Sequence, residues 1–125
     1  MRFRVFFMPK IIHEPALVPA QGAGKIIHEY FGRVNTDQRD VSIAVMQAPA
    51  GWGEPFQTPE FDEYTVVLEG DLTVEYDGGA ITLTGGQAIV TESGERVRYS
   101  TKDGAHYVAI CCPAFDPETV HRDLD

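Results

Sequence analysis

Apolar and polar residues alternate with a period of two over most of the chain from residue 41 onward, and turn-forming residues interrupt the alternation at short, regular intervals. Because a strand sends successive side chains to opposite faces, this pattern predicts an all-β chain. Residues 41–48 form the first predicted strand, closed by Pro49, Gly51 and Gly53; residues 64–68 form the next, closed by Gly70 and Asp71. Leu72, Val74 and Tyr76 then share one face, and Asp77-Gly78-Gly79 predicts a tight hairpin. Ile81 and Leu83 lie on the return strand, Gly85-Gly86 turns the chain, and residues 88–91 make a further strand before Ser93-Gly94. Next, Arg96 and Arg98 alternate with Val97 and Tyr99, which places the charges in solvent and the apolar pair inside. Lys102-Asp103-Gly104 is the last predicted hairpin turn, and residues 107–112 are so continuously apolar that they read as buried on both faces.

The first forty residues are interrupted by Pro9, Pro15, Pro19 and the Gln21-Gly22-Ala23-Gly24 segment. Residues 25–34 read as a strand joining the barrel, and residues 2–8 as an edge strand or arm. The one helical signal is a single turn over residues 117–122, with Asp116 as its N-cap. The expected organisation is therefore one domain: an N-terminal arm and strands over residues 1–40, a barrel over 41–115, and a tail over 116–125. Short strands in this number suit a jelly-roll barrel, which removes exposed sheet edges and leaves a mouth for a ligand. Residues 64–68 are apolar on both faces, so something outside the barrel must cover one of them, and a homodimer is the expected arrangement.

Charge changes the picture by excluding partners. Ten basic residues stand against 19 acidic ones in a chain of 125, and the net charge of −9 opposes both nucleic acid and anionic membrane surfaces. The MRFRVFFMPK start superficially suggests an export signal, but Pro9 and Lys10 cut its apolar run short and no stretch reaches membrane-spanning length. A cytoplasmic protein is expected. Cys111 and Cys112, the only two cysteines, are adjacent on a predicted strand, point to opposite faces and read as buried thiols, with a vicinal redox pair as the alternative.

Candidate chemistry is concentrated between Gly51 and Gly70. Gly51, Gln57, Pro59, Glu63 and Gly70 stand at the intervals of the first signature of the cupin family, which carries histidines where this chain has Gln57 and Pro59. Fifteen residues further on, Gly86, Glu92, Gly94, Val97 and Thr101 stand at the positions of the second signature, where only the glycines agree. The closing AICCPAFDPETVHRD also resembles the end of many small cupins. The chain is thus similar to cupins over roughly its last two-thirds, and the resemblance implies a double-stranded β-helix. It also implies a divalent metal ion as cofactor, held at the positions of Gln57, Pro59, Glu63 and Val97. Proline and valine cannot ligate, so Gln57 and Glu63 remain as a weak metal pair and a metal-poor site is expected. His28, His106 or Glu54 would have to swing in to rescue it, and their spacing supplies no reason for that; His13 and His121 read as loop and tail residues.

Alternation points Gln57, Pro59, Phe61 and Glu63 inward if that segment is extended, and Val97, Tyr99 and Thr101 inward from the opposite side. A carboxylate in an apolar barrel has its pKa raised toward neutrality, so Glu63 is the candidate acid–base residue and Tyr99 its opposing acid or hydrogen-bond donor. Structural pairing of Glu63 with Gln57, Tyr99 or a backbone amide is the competing role. Gln57, Glu54, Trp52 and His106 are the candidate ligand contacts, with Trp52 and Phe56 as apolar walls of the mouth; Glu60 and Asp62 have outward parity. Three functions remain open on these residues: a barrel that binds a small organic molecule without chemistry, a metal-independent isomerase, epimerase or lyase using Glu63 (less readily a metal-dependent dioxygenase), and a structural subunit whose cavity is packed shut.

Overall fold

The computed structural model describes residues 8–124, and the predicted arm over residues 2–8 falls almost wholly outside them. Eight strands follow in order: β1 (Ala16–Val18), β2 (Ile26–Phe31), β3 (Ser42–Ala48), β4 (Asp62–Tyr76), β5 (Gly79–Thr84), β6 (Ala88–Thr91), β7 (Arg98–Ser100) and β8 (Ala105–Cys112). All pairings are antiparallel and run β1-β2-β3-β8-β4-β5, with β6 and β7 also on β4. No helix occurs among the described residues, and the turn expected after Asp116 is a single capped turn, in which the Glu118 N–H donates to the Asp116 carboxylate at 2.9 Å.

The long strand β4 organises the rest. Its first half pairs with β8 and β6, and its second half with β5 and β7. A strand stopping at Gly70 was expected; instead the chain continues through a bulge between Val67 and Glu69. The extra residue shifts the side-chain phase. Glu63, Thr65 and Val67 point inward at odd positions, and Leu72 and Val74 do so at even ones. Gly70 makes the bend possible: its φ is +86°, and a Cβ there would overlap the Gly104 carbonyl oxygen. The Asp71 carboxylate then ties down the final hairpin by accepting from the Lys102 and Asp103 N–H groups, both at 3.0 Å.

The lumen is filled mainly from β4, β5, β7 and β8 and the loops between strands. Val67, Leu72, Val74, Leu83, Val97, Tyr99 and Tyr107 belong to one buried apolar cluster; Phe61, Cys111 and Val120, with Phe115 against them, form a second. Each large side chain so buried contributes about 1.5–3 kcal/mol relative to exposure. Strand β8 corrects the expectation of burial on both faces: Ala105, Tyr107, Ala109 and Cys111 are buried, whereas His106, Val108, Ile110 and Cys112 on the outer face are only half-buried. Outside, Tyr64, Val66, Leu68 and Val90 are 40–50% exposed, and Tyr64 pairs directly with Val90.

Candidate functional site

A cavity of about 60 Å³ lies inside the barrel, bounded by members of both apolar clusters. That is several times the space a single water needs. Glu63 reaches it from the start of β4, flanked by its cross-strand partners Thr91 on β6 and Cys111 on β8. Gln57, Pro59 and Phe61 precede it on the same inward parity and all are buried, although the segment is held by isolated bridges of Gln57 to Val97 and to Arg122 rather than by a continuous strand. Gln57, Trp52, Glu54 and Tyr99 also line the cavity, so five of the six residues singled out from sequence converge there.

His106 is the sixth, and its expected role is corrected. It alternates with the inward Ala105 and Tyr107, pairs across the sheet with Gln47 and Glu69, and therefore faces outward. The parity of one strand decides this, and the sequence left it ambiguous by one residue. Phe56 is corrected too: instead of walling the mouth it packs beneath Arg96 and Arg98, whose guanidinium carbons lie 4.0 and 4.8 Å from its ring centre. Glu60 is exposed as expected and pairs with His121.

Several wall residues escaped the sequence reading, among them Lys25, Tyr107, Arg122 and the buried Glu29. Lys25, immediately before β2, lays its Nζ 4.1 Å from the centre of the Trp52 ring and 5.3 Å from that of Tyr107. Arg122 comes from the tail and is pinned by the backbone bridge to Gln57. Tyr107 enters from β8. No periodic signal marks Lys25 or Arg122, because neither lies within a strand. The Gln21-Gly22 turn completes the wall: the Trp52 Nε1–H donates to the Gln21 carbonyl at 2.7 Å, and Gly22, at φ +83°, leaves no space for a Cβ against the indole. Glu54 and Gln21 border both the inner cavity and an open surface depression, which places Glu54 at the mouth.

Burial dominates the electrostatics. Desolvation and then the Glu54 charge push the Glu63 carboxyl up to about 7, against the attraction of Lys25. Desolvation likewise raises Glu54 and lowers Lys25, each opposed by the other's charge. Burial raises the Tyr99 hydroxyl well above its ordinary value, so it stays neutral at physiological pH. Its hydrogen-bond partner is the Thr91 hydroxyl at 2.9 Å, not Glu63. Tyr99 is accordingly a fixed wall and a weak acid, and the anticipated hydrogen-bonded encounter with Glu63 does not form. Cys111 is buried and its thiol is raised further by burial, which makes it inert.

The donor set does not fit a transition metal. Pro59 and Val97 have no donor atom, and no cluster of three or more His, Cys, Asp or Glu side chains able to hold an ion occurs among the described residues.

The model of the ethanolamine utilisation protein EutQ family matches residues 25–116. An endoribonuclease YbeY of Myxococcus xanthus is 39% identical over 102 residues, which make up 80% of this chain and 35% of that protein; the chain thus spans about a third of that relative's length. Two solved structures share the fold at low identity. The polyketide cyclase RemF of Streptomyces resistomycificus superposes with a TM-score of 0.75 at 16% identity, over 94% of this chain and 88% of that one. An RmlC-like cupin from Shewanella frigidimarina does so with a TM-score of 0.71 at 14% identity, over 88% and 94%.

Proposed function

Since the chain belongs to the EutQ family and folds as a cupin-type barrel, we propose that it holds a small organic molecule in the barrel cavity and exchanges a proton with it through Glu63, as a metal-independent isomerase, epimerase or lyase would. The observation that carries this reading is Glu63 itself: an acid at about 7 on the wall of a cavity large enough for a guest. Near neutrality such a group is present in both protonation states, which suits transfer in either direction. A cavity of this kind also counts against a purely structural subunit with a lumen packed shut.

In the proposed reaction Glu63 in its carboxylate form accepts a proton from a guest seated against Trp52 and Tyr107, and returns it to the same or a neighbouring atom. Lys25 keeps that carboxylate from being too strong a base, and Glu54 at the mouth keeps it from being too weak. Gln57 supplies a neutral amide to orient the guest. A barrel that binds without chemistry is the second reading, favoured by the engagement of Tyr99 with Thr91, which leaves Glu63 without an opposing acid of matched strength. Incubating the protein in deuterium oxide with a panel of small carbonyl and hydroxy compounds separates the two. Solvent deuterium entering a panel member with wild type, and not with Glu63→Gln, is the expected result; binding without exchange leaves the second reading alone.

The ribonuclease name of the longer relative is not carried over, because a net charge of −9 opposes a polyphosphate partner. A second copy of the chain is the proposed cover for the uncharged outer row Tyr64, Val66, Leu68 and Val90. Two unpaired thiols suit the reducing cytoplasm, the proposed location. No helix among the described residues is long and apolar enough to cross a membrane.

A further inference from the structure

Two cations in the cavity wall face no oxygen partner. Arg122 Nε is buried and makes no hydrogen bond. Among the described residues the Lys25 amine contacts two aromatic faces, and no ion pair ties it to Glu54 or Glu63. An unpaired buried guanidinium nitrogen is costly, and proteins ordinarily satisfy it. Cations are also close enough here for Arg122 to work against a second charge at Lys25. Two like charges held around one cavity, each short of an acceptor, describe a receptor for an anion. Glu54 and Glu63 share the wall and attract Lys25, but among the described residues neither forms an ion pair or hydrogen bond with Lys25 or Arg122, so the donors of both cations stay open to a guest. Burial keeps Tyr99, Tyr107 and Cys111 uncharged, and the third acid on the wall, Glu29, has its Oε2 occupied by the Val34 and Asn35 N–H groups, each at 2.9 Å.

Size narrows the class. The cavity, about 60 Å³ in volume, is scaled to a small metabolite rather than to a polymer. Resting on the reading of this cavity as a ligand site, we propose that its guest is a small organic carboxylate, with the carboxylate held between Lys25 and Arg122 and the uncharged end turned toward Glu63. Guanidinium and ammonium donors both suit carboxylate oxygens. The apolar faces of Trp52 and Tyr107 accommodate a short carbon chain. With the charged end so anchored, the carbon or hydroxyl next to it is the atom that Glu63 addresses.

Calorimetry with glycolate and pyruvate, against their neutral counterparts glycolamide and pyruvamide and the cation ethanolamine, tests the assignment on the unmodified protein. Either carboxylate is expected to bind more tightly than its amide by about 10- to 100-fold, the range of a charge-assisted hydrogen bond, and ethanolamine to bind more weakly still. Lys25→Met and Arg122→Gln should each lose a similar factor for the carboxylates and little for the amides. An anion beside Glu63 and Lys25 favours their protonated forms, so binding near neutrality should take up protons, read as a dependence of the heat on buffer ionisation enthalpy. Equal affinity for amide and carboxylate, tighter ethanolamine binding, proton release, or no carboxylate binding at about 10 mM each overturns the proposal. If Glu63 still titrates near neutrality by carboxyl carbon NMR in that case, the acid–base reading survives; if it titrates in the ordinary carboxylate range, that reading falls by itself.

Discussion

Replacing Glu63 by Gln should make the protein more stable in mild alkali and flatten its pH dependence. In the folded barrel the carboxyl sits at about 7, against an ordinary value of 4.5. The native state therefore binds more protons than the unfolded chain between those limits, and stability falls as pH rises through the window. Below the ordinary value both states are protonated and nothing is lost. Above about pH 7 the full cost applies, roughly 3 kcal/mol at 1.36 kcal/mol per unit. The neutral amide of Gln carries no such cost. Denaturant unfolding of both proteins from about pH 4 to pH 8 should give a difference that grows by about 3 kcal/mol, or by about 10 °C in Tm. Glu54 and Lys25 respond to pH in both proteins, so the difference curve isolates Glu63 and its coupling to them. Parallel curves over that range would refute the claim that Glu63 is desolvated, and the proton-exchange function with it.

Gly70→Ala should destabilise the fold by about 2 kcal/mol or more, because it strains a φ of +86° and overlaps the Gly104 carbonyl; urea unfolding measures it, and Gly51→Ala, with open space around its Cβ, should cost less. Thr91→Val leaves the buried Tyr99 hydroxyl without its 2.9 Å partner and should cost about 1–3 kcal/mol in the same assay. Tyr64→Lys combined with Val66→Lys puts two charges on the outer sheet face and should convert a dimer to monomer in sedimentation velocity without altering the barrel's circular dichroism; unchanged mass would remove the second copy as the cover for that face.

Most of the barrel was legible because one face of each strand is buried. Ser42–Ala48, Ala88–Thr91 and the Tyr76–Gly79 hairpin emerge within a residue or so of their predicted limits. Strand β1 was missed, since Ala16–Val18 is too short to show a period and is flanked by prolines. The continuation of β4 through Gly70 was missed because a bulge and a glycine look locally like a turn; only the pairing of Gly70 with Ala105 and of Asp71 with Thr84 reveals an unbroken strand. Within the site, Gln57, Glu63 and Tyr99 were legible by parity, and Glu54 and Trp52 by their place in the loop before the strand. His106 was misplaced by one step of the same parity.

The linear pattern determined by itself that this chain folds as an all-β barrel and that Glu63 faces its interior, because alternation is a local property and a strand has only two faces. Tertiary structure alone decided what surrounds that acid. Lys25 and Arg122 lie almost a chain length apart, outside any strand, and reach the same cavity only because β2 and the tail close on the Gln57 segment. The ionisation of Glu63 depends on lost water and on charges brought from such distances. Desolvation and Coulomb interaction act through space, and no run of neighbouring residues encodes them.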